Sequence, residues 1–201
     1  MAHMEPLSPD QIPDDMLDMS SVFEQRMGFR ANSGLTMMRR PELVKALGGL
    51  ARVVYMPSEN VPLSLRNMIA HMTSQTAGCM YCAAHTASNT LRPESGVEPK
   101  KLEQIWHYET SPLFSEKERV ALRFAQHASS IPNAVTDADF DRMRVYFSDA
   151  DIVDIVALIG YFGFLNRWND TMATELEELP QSIGEAHLTG SGWRAGKHAA
   201  G

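Results

Sequence analysis

Long apolar runs are missing from this chain. A membrane-spanning helix needs about 18 or more consecutive apolar residues, and the nearest approach, Ile152 to Leu165, is shorter and carries Asp154 within it. Concentrated positive charge is missing as well: 18 Lys and Arg stand against 25 Asp and Glu, for a formal net charge of −7. Arg39-Arg40 is too short a basic run to neutralise phosphates, so neither a nucleic acid nor a membrane is an expected partner. Residues Met1 to Pro13 are acidic and polar, lacking the charged start and apolar stretch of a secretory signal, which points to the cytoplasm. Cysteine is scarce, with only Cys79 and Cys82 in 201 residues. In a reducing compartment such a lone pair is seldom a structural disulfide and more often catalytic or metal-binding. A strand-like alternation of apolar and polar residues, an internal repeat and low-complexity segments are also lacking.

What remains is helical. Apolar residues make up 44% of the chain and charged residues 21%, ordinary values for one globular domain. Pro41 opens a helix with Glu42 in its first turn, where the helix dipole favours an acid. Gly48-Gly49 weakens that helix, yet Leu50, Val53 and Val54 carry its apolar face onward. Pro62 leads into Leu65, Met68, Ile69 and Met72 at helical spacing, and Pro99 begins a further helix through Leu102, Ile105 and Trp106. Ser115 with Glu118 forms a capping box, and Thr136 with Asp139 a weaker acidic variant. Asp149 to Glu175 is apolar on most sides, as expected of a buried helix at the core or a subunit interface. The thirteen methionines mostly fall at core spacing and read as adaptable packing. Trp106-His107-Tyr108 reads as packing too, and the acids Glu175, Glu177 and Glu178 read as the solvated end of the long helix. The expected organisation is all-α, with an N-terminal segment over 1–36, a helical domain over 37–180 and a C-terminal tail over 181–201. Both ends read as loosely held, with Trp193 available to dock on the body or on a neighbouring subunit.

The chemistry concentrates in Cys79-Met80-Tyr81-Cys82-Ala83-Ala84-His85. On a helix, residues i and i+3 share a face, near enough for a disulfide after modest adjustment. His85 lies a further i+3 along the same face. A helix start directly after Ala77-Gly78 would bring unpaired N–H groups and the positive dipole end to the cysteines, favouring thiolate, the nucleophilic form. An adjacent imidazole can accept or return the proton. Buried structural cysteines and a zinc half-site are the competing readings. Zinc needs two more ligands, and beyond His71 and His85 the paired spacing of such sites is absent.

The segment Ala77 to Thr86 resembles the signature of the carboxymuconolactone decarboxylase superfamily, and within it the alkylhydroperoxidase AhpD-like, peroxidase-related branch. Leu65 to Gln75, Phe114 to Leu122 and Asn166-Arg167-Trp168-Asn169-Asp170 resemble further blocks of that branch. The likeness runs from about Met37 to Leu179, and Gly192-Trp193 with Gly196-Lys197-His198 resembles a tail seen in some members. The resemblance implies an all-helical AhpD-like fold of roughly seven or eight helices around a helical hairpin, assembled as a homo-oligomer. It also implies a thiol-dependent peroxidase. Cys82 would attack the hydroperoxide and become a sulfenic acid, Cys79 would condense with it to a disulfide, and a lipoyl or thioredoxin-like dithiol would reset the pair. His85 would correspond to the relay histidine, and no cofactor or metal is expected.

This chain departs from the family pattern in two places. The histidine usually follows the second cysteine by four residues and here follows by three. The glutamate usually found twelve residues before the first cysteine is Asn67, which takes up no proton; His71, one helical turn on, is the expected substitute. Two other functions remain open at this point. One is the decarboxylase chemistry that names the superfamily, which works without a dithiol; the other is a non-enzymatic redox sensor or scaffold.

Overall fold

The computed structural model describes residues 2–199, and every regular element among them is helical. Ten α-helices follow in order: α1 (Leu17–Met27), α2 (Asn32–Met37), α3 (Pro41–Val54), α4 (Leu63–Thr76), α5 (Met80–Thr90), α6 (Pro99–Glu103), α7 (Glu116–Ser129), α8 (Asp137–Tyr146), α9 (Asp149–Met172) and α10 (Glu178–His187). Eight of these have seven or more residues, and none is long and apolar enough to cross a membrane.

Helix α4 forms the centre. Every residue from Leu65 to Ser74 is buried, polar ones included, because α5, α7 and α9 all pack against it. Met68, Ile69 and Met72 meet Leu122, Phe124, Ile155 and Leu158 in the main core. Enclosure makes partners valuable to the polar side chains of α4, since an unpaired buried polar group costs free energy. Arg66, with no exposed surface, donates to the carbonyls of Val54 at 2.7 Å and Val61 at 3.1 Å and to the Asp154 carboxylate at 3.0 Å. One guanidinium thus ties the end of α3 and the 54–62 loop to α9.

Helix α9 was expected to be buried nearly all round and is only half so. Ile152, Ile155, Leu158, Ile159 and Phe162 face the core, whereas Val153 and Val156 are 66% and 46% exposed. The capping boxes at Ser115/Glu118 and Thr136/Asp139 form as their sequences predict, and Ser148 with Asp151 adds a third at the start of α9. Such caps are worth about 1 kcal/mol each. In the segment read as packing, Tyr108 is buried while Trp106 is 41% exposed.

Neither end is loose. Ile12 and Met16 pack with Leu35, Met37, Met38 and Val44 in a second cluster. Trp193 and Leu188 join Cys79, Tyr81, Cys82 and Leu102 in a third. Trp193 donates its indole N–H to the Met80 carbonyl at 2.9 Å, and its ring lies so close to α10 that a Cβ on Gly184 would sit 2.6 Å from it. Gly184→Ala is therefore expected to push the indole off Met80 and lower stability by about 1–3 kcal/mol, read as a reduced melting temperature in thermal unfolding.

Candidate active site

Gly78, at φ +71°, turns the chain between α4 and α5 in a conformation that L-residues rarely adopt. The turn is held by the Cys79 amide donating to Ser74 O at 3.2 Å. Cys79 is thereby placed as the N-cap of α5, and its sulfur accepts the backbone N–H of Cys82 at 3.5 Å. Both cysteines are free thiols, buried to 0% and 3% exposure, with their side chains in hydrogen-bonding contact. The Cys82 thiol and backbone N–H draw the Cys79 thiol below its ordinary value against the effect of burial. Burial and the neighbouring Cys79 push Cys82 well up, and only the Asn169 amide, donating to its sulfur at 3.3 Å, works against them. The two shifts run in opposite directions, so of the pair Cys79 is the readier to ionise.

His85 faces away from α4. Its Nε2 lies 2.6 Å from Glu177 Oε2, and its ring stacks on Tyr81 with centroids 4.2 Å apart and meets the edge of Phe29 at 5.4 Å. The other oxygen of Glu177 accepts from the Tyr81 hydroxyl at 2.8 Å and from the Asn32 amide at 2.5 Å. Burial raises the Glu177 carboxyl, but His85, Asn32 and Tyr81 outweigh it and hold the group below its ordinary value. Burial and the Glu177 charge push Tyr81 well up. Glu177 is thus an ionised carboxylate of 9% side-chain exposure, not the solvated end expected. It gave no sequence signal because its partner stands 92 residues away and its setting in an acidic run mimics a helix terminus.

Asn67 and His71 occupy the opposite side of α5. Asn67 donates to Asn89 O at 3.2 Å and Ser95 Oγ at 3.1 Å. His71 Nδ1 is 3.1 Å from Ala83 O and 3.0 Å from Thr86 Oγ1, while its Nε2 is buried with no hydrogen-bond partner. A carbonyl only accepts, so Nδ1 carries the proton. Burial lowers the His71 pKa to about 4, and the ring is a neutral fastener between α4 and α5. Thr86 stands four residues after Cys82, where the family's histidine usually falls. A shift of one residue from that position turns the imidazole by about 100° around the helix, away from α4 and onto the carboxylate before α10. Among the described residues, no group of three or more His, Cys, Asp or Glu is placed to hold a metal ion.

The model of the carboxymuconolactone decarboxylase family matches residues 41–127, which run from the start of α3 into α7 and include the dithiol. This chain belongs to that family. Over nearly its whole length it is similar to the debrominase Bmp8. A cysteine-to-alanine variant of Bmp8 in complex with 2,3,4-tribromopyrrole is 32% identical, with a TM-score of 0.83 covering 91% of this chain and 96% of that one. Apo Bmp8 is 34% identical, with a TM-score of 0.80 over 90% and 96%. The AhpD-like fold is shared with a peroxidase-related protein from Ralstonia eutropha JMP134, at 23% identity and a TM-score of 0.75 over 88% and 94%. The uncharacterized protein YnjA of Escherichia coli K12 is 30% identical over 108 residues, 54% of this chain and 58% of its own length.

The state of His71 sets a pH dependence. Unfolding restores its ordinary pKa of 6.5, so between pH 6.5 and about 4 the unfolded chain binds a proton that the folded one refuses. Stability contributed by this group falls as pH drops through that window, by on the order of 3 kcal/mol. His71→Asn, whose amide can replace the Nδ1 donor, is expected to flatten this part of the profile in denaturant titrations at pH 7 and pH 4.5.

Proposed function

We propose that this protein is a thiol-dependent reductase that passes two electrons from Cys79 and Cys82 to a hydroperoxide and is then reset by an external lipoyl or thioredoxin-like dithiol. The observation that carries this reading is the pair of reduced, contacting cysteines at the start of α5, one of which caps that helix with its sulfur. In the first step Cys79 takes the proton of Cys82, and the Cys82 sulfur attacks the terminal peroxide oxygen. The O–O bond breaks, the alkoxide leaves as the alcohol with a proton delivered through His85, and Cys82 is a sulfenic acid. Cys79 then attacks that sulfur, its proton and the hydroxyl depart as water, and a disulfide remains. Glu177 holds the His85 ring in place, the part that a carboxylate plays beside an imidazole in acid–base catalysis.

A second reading is favoured by the likeness to Bmp8, which extends over 96% of that chain. The same dithiol would reduce a halogenated ring. A thiolate takes the halogen as a sulfenyl halide, the ring carbon gains the proton, and the second sulfur displaces halide to form the disulfide. Electrons and atoms balance in both readings, and both end in the same oxidised enzyme. Bromide release from 2,3,4-tribromopyrrole with dithiothreitol, set against consumption of cumene hydroperoxide with dihydrolipoamide, separates them.

One equivalent of cumene hydroperoxide is expected to convert two titratable thiols to none, and dihydrolipoamide to restore both. Cys82→Ser is expected to lower steady-state turnover by about 10³-fold or more; turnover within a few-fold of wild type would overturn the proposal. Glu177→Gln, which keeps the hydrogen bond and removes the charge, is expected to lower kcat by about 10²-fold while both thiols still titrate.

A further inference from the structure

A cleft of about 440 Å³ opens between the ends of α4 and α7 and the middle of α9, a volume typical of small-molecule sites. Its lining includes Thr73, Ala77, Ser129, Ile159 and Asn166. Asn166 is 4% exposed and Thr73 1%, yet neither the Asn166 amide oxygen nor its nitrogen has a hydrogen-bond partner, and the Thr73 and Ser129 hydroxyls have none either. Gly160 and Gly163, both interior to α9, also face the cleft. Each costs a helix about 1 kcal/mol relative to alanine, and a Cβ at either would meet nothing within 4 Å. No neighbour in the fold requires them, and what they preserve is the open space.

From these residues we infer that the cleft is a ligand site for a neutral organic hydroxyl or hydroperoxyl compound with an apolar body, and that it presents this compound to the dithiol. The inference rests on the reductase reading for the ligand's fate, not for its binding. An amide that both donates and accepts, beside two hydroxyls, matches an O–H group, which also does both. Arg167 and Asp170 also line the cleft and offset each other in charge, so the lining offers a carboxylate no net counter-charge for the hydration it would lose. Ile159, Ala77 and Ala128 supply apolar wall for the rest of the molecule. The link to the cysteines runs along one face of α9. Asn169, three residues beyond Asn166, donates to Cys82 Sγ, and Ala77 of the cleft wall lies two residues before Cys79.

The probe is 2-phenyl-2-propanol, an unreactive alcohol of this shape. Calorimetric titration is expected to show saturable binding to wild type and equally to Cys82→Ser, with the Asn166 side-chain amide resonances shifting on titration. Asn166→Leu is expected to weaken binding at least tenfold. Gly163→Leu, which fills the cleft from an exposed helix position with a better helix former, is expected to do the same with no loss of thermal stability. Unshifted Asn166 resonances, or wild-type affinity in both variants, would overturn the inference. So would sedimentation showing that Gly163→Leu breaks an oligomer while the probe fails to bind, since a second copy of the chain would then occupy the cleft. Binding without peroxide turnover would sink the reductase reading and leave the site standing; turnover without binding would do the reverse.

Discussion

Enclosure of α4 on every side is the constraint from which the site follows. A helix that faces protein all round has little water to satisfy its polar groups, so neighbouring elements that meet them hold it strongly. Asn67 and His71 are met by the end and the middle of α5, and the Ser74 carbonyl receives the Cys79 amide. Three rungs set the register of the α4–α5 hairpin, and that register fixes Cys79 at the cap of α5. The downward shift of the Cys79 thiol owes most to the Cys82 side chain and part to this geometry, since the sulfur stands where a helix accepts an anion.

The all-α class, most helix starts and the dithiol were legible because their signals are local. Pro41, the Ser115/Glu118 and Thr136/Asp139 boxes and the i, i+3 cysteine spacing each act within one or two turns. The central position of α4 was not legible: Arg66, Asn67, His71, Thr73 and Ser74 interrupt its apolar periodicity and imitate a half-exposed helix. They are buried only because residues far along the chain complete them, as Asp154 completes Arg66. Helix α9, with the stronger apolar signal, was overestimated for the complementary reason, as its excess apolar residues Val153, Val156 and Phe164 lie on an open face. The tail beyond 181 looked weak by its glycines, but Gly184 is there for the approach of an indole.

At the site, sequence spacing located the dithiol and missed the carboxylate. Both departures from the family pattern, the early histidine and the asparagine at 67, looked like separate losses when taken singly. In three dimensions the imidazole stands on the α10 side of α5 against Glu177, while Asn67 with its partners fills the α4 side. His71 lies on the α4 side too, where it fastens the hairpin through Ala83 and Thr86. A one-residue offset on a helix is small in sequence and a quarter turn in space, which is why position-by-position matching registers it as absence.

The Cys79 sulfur has a double employment that ties folding to electron affinity. Reduced, it accepts the Cys82 N–H in the first turn of α5; bonded to Cys82 in a disulfide, it would hold that N–H less well. Whatever free energy the cap contributes to the reduced hairpin would be withheld from an oxidised one, and would enter the redox couple as a more positive potential, about 30 mV for each 1.4 kcal/mol. The turn that builds the helix thereby bears on how strongly the dithiol holds its electrons.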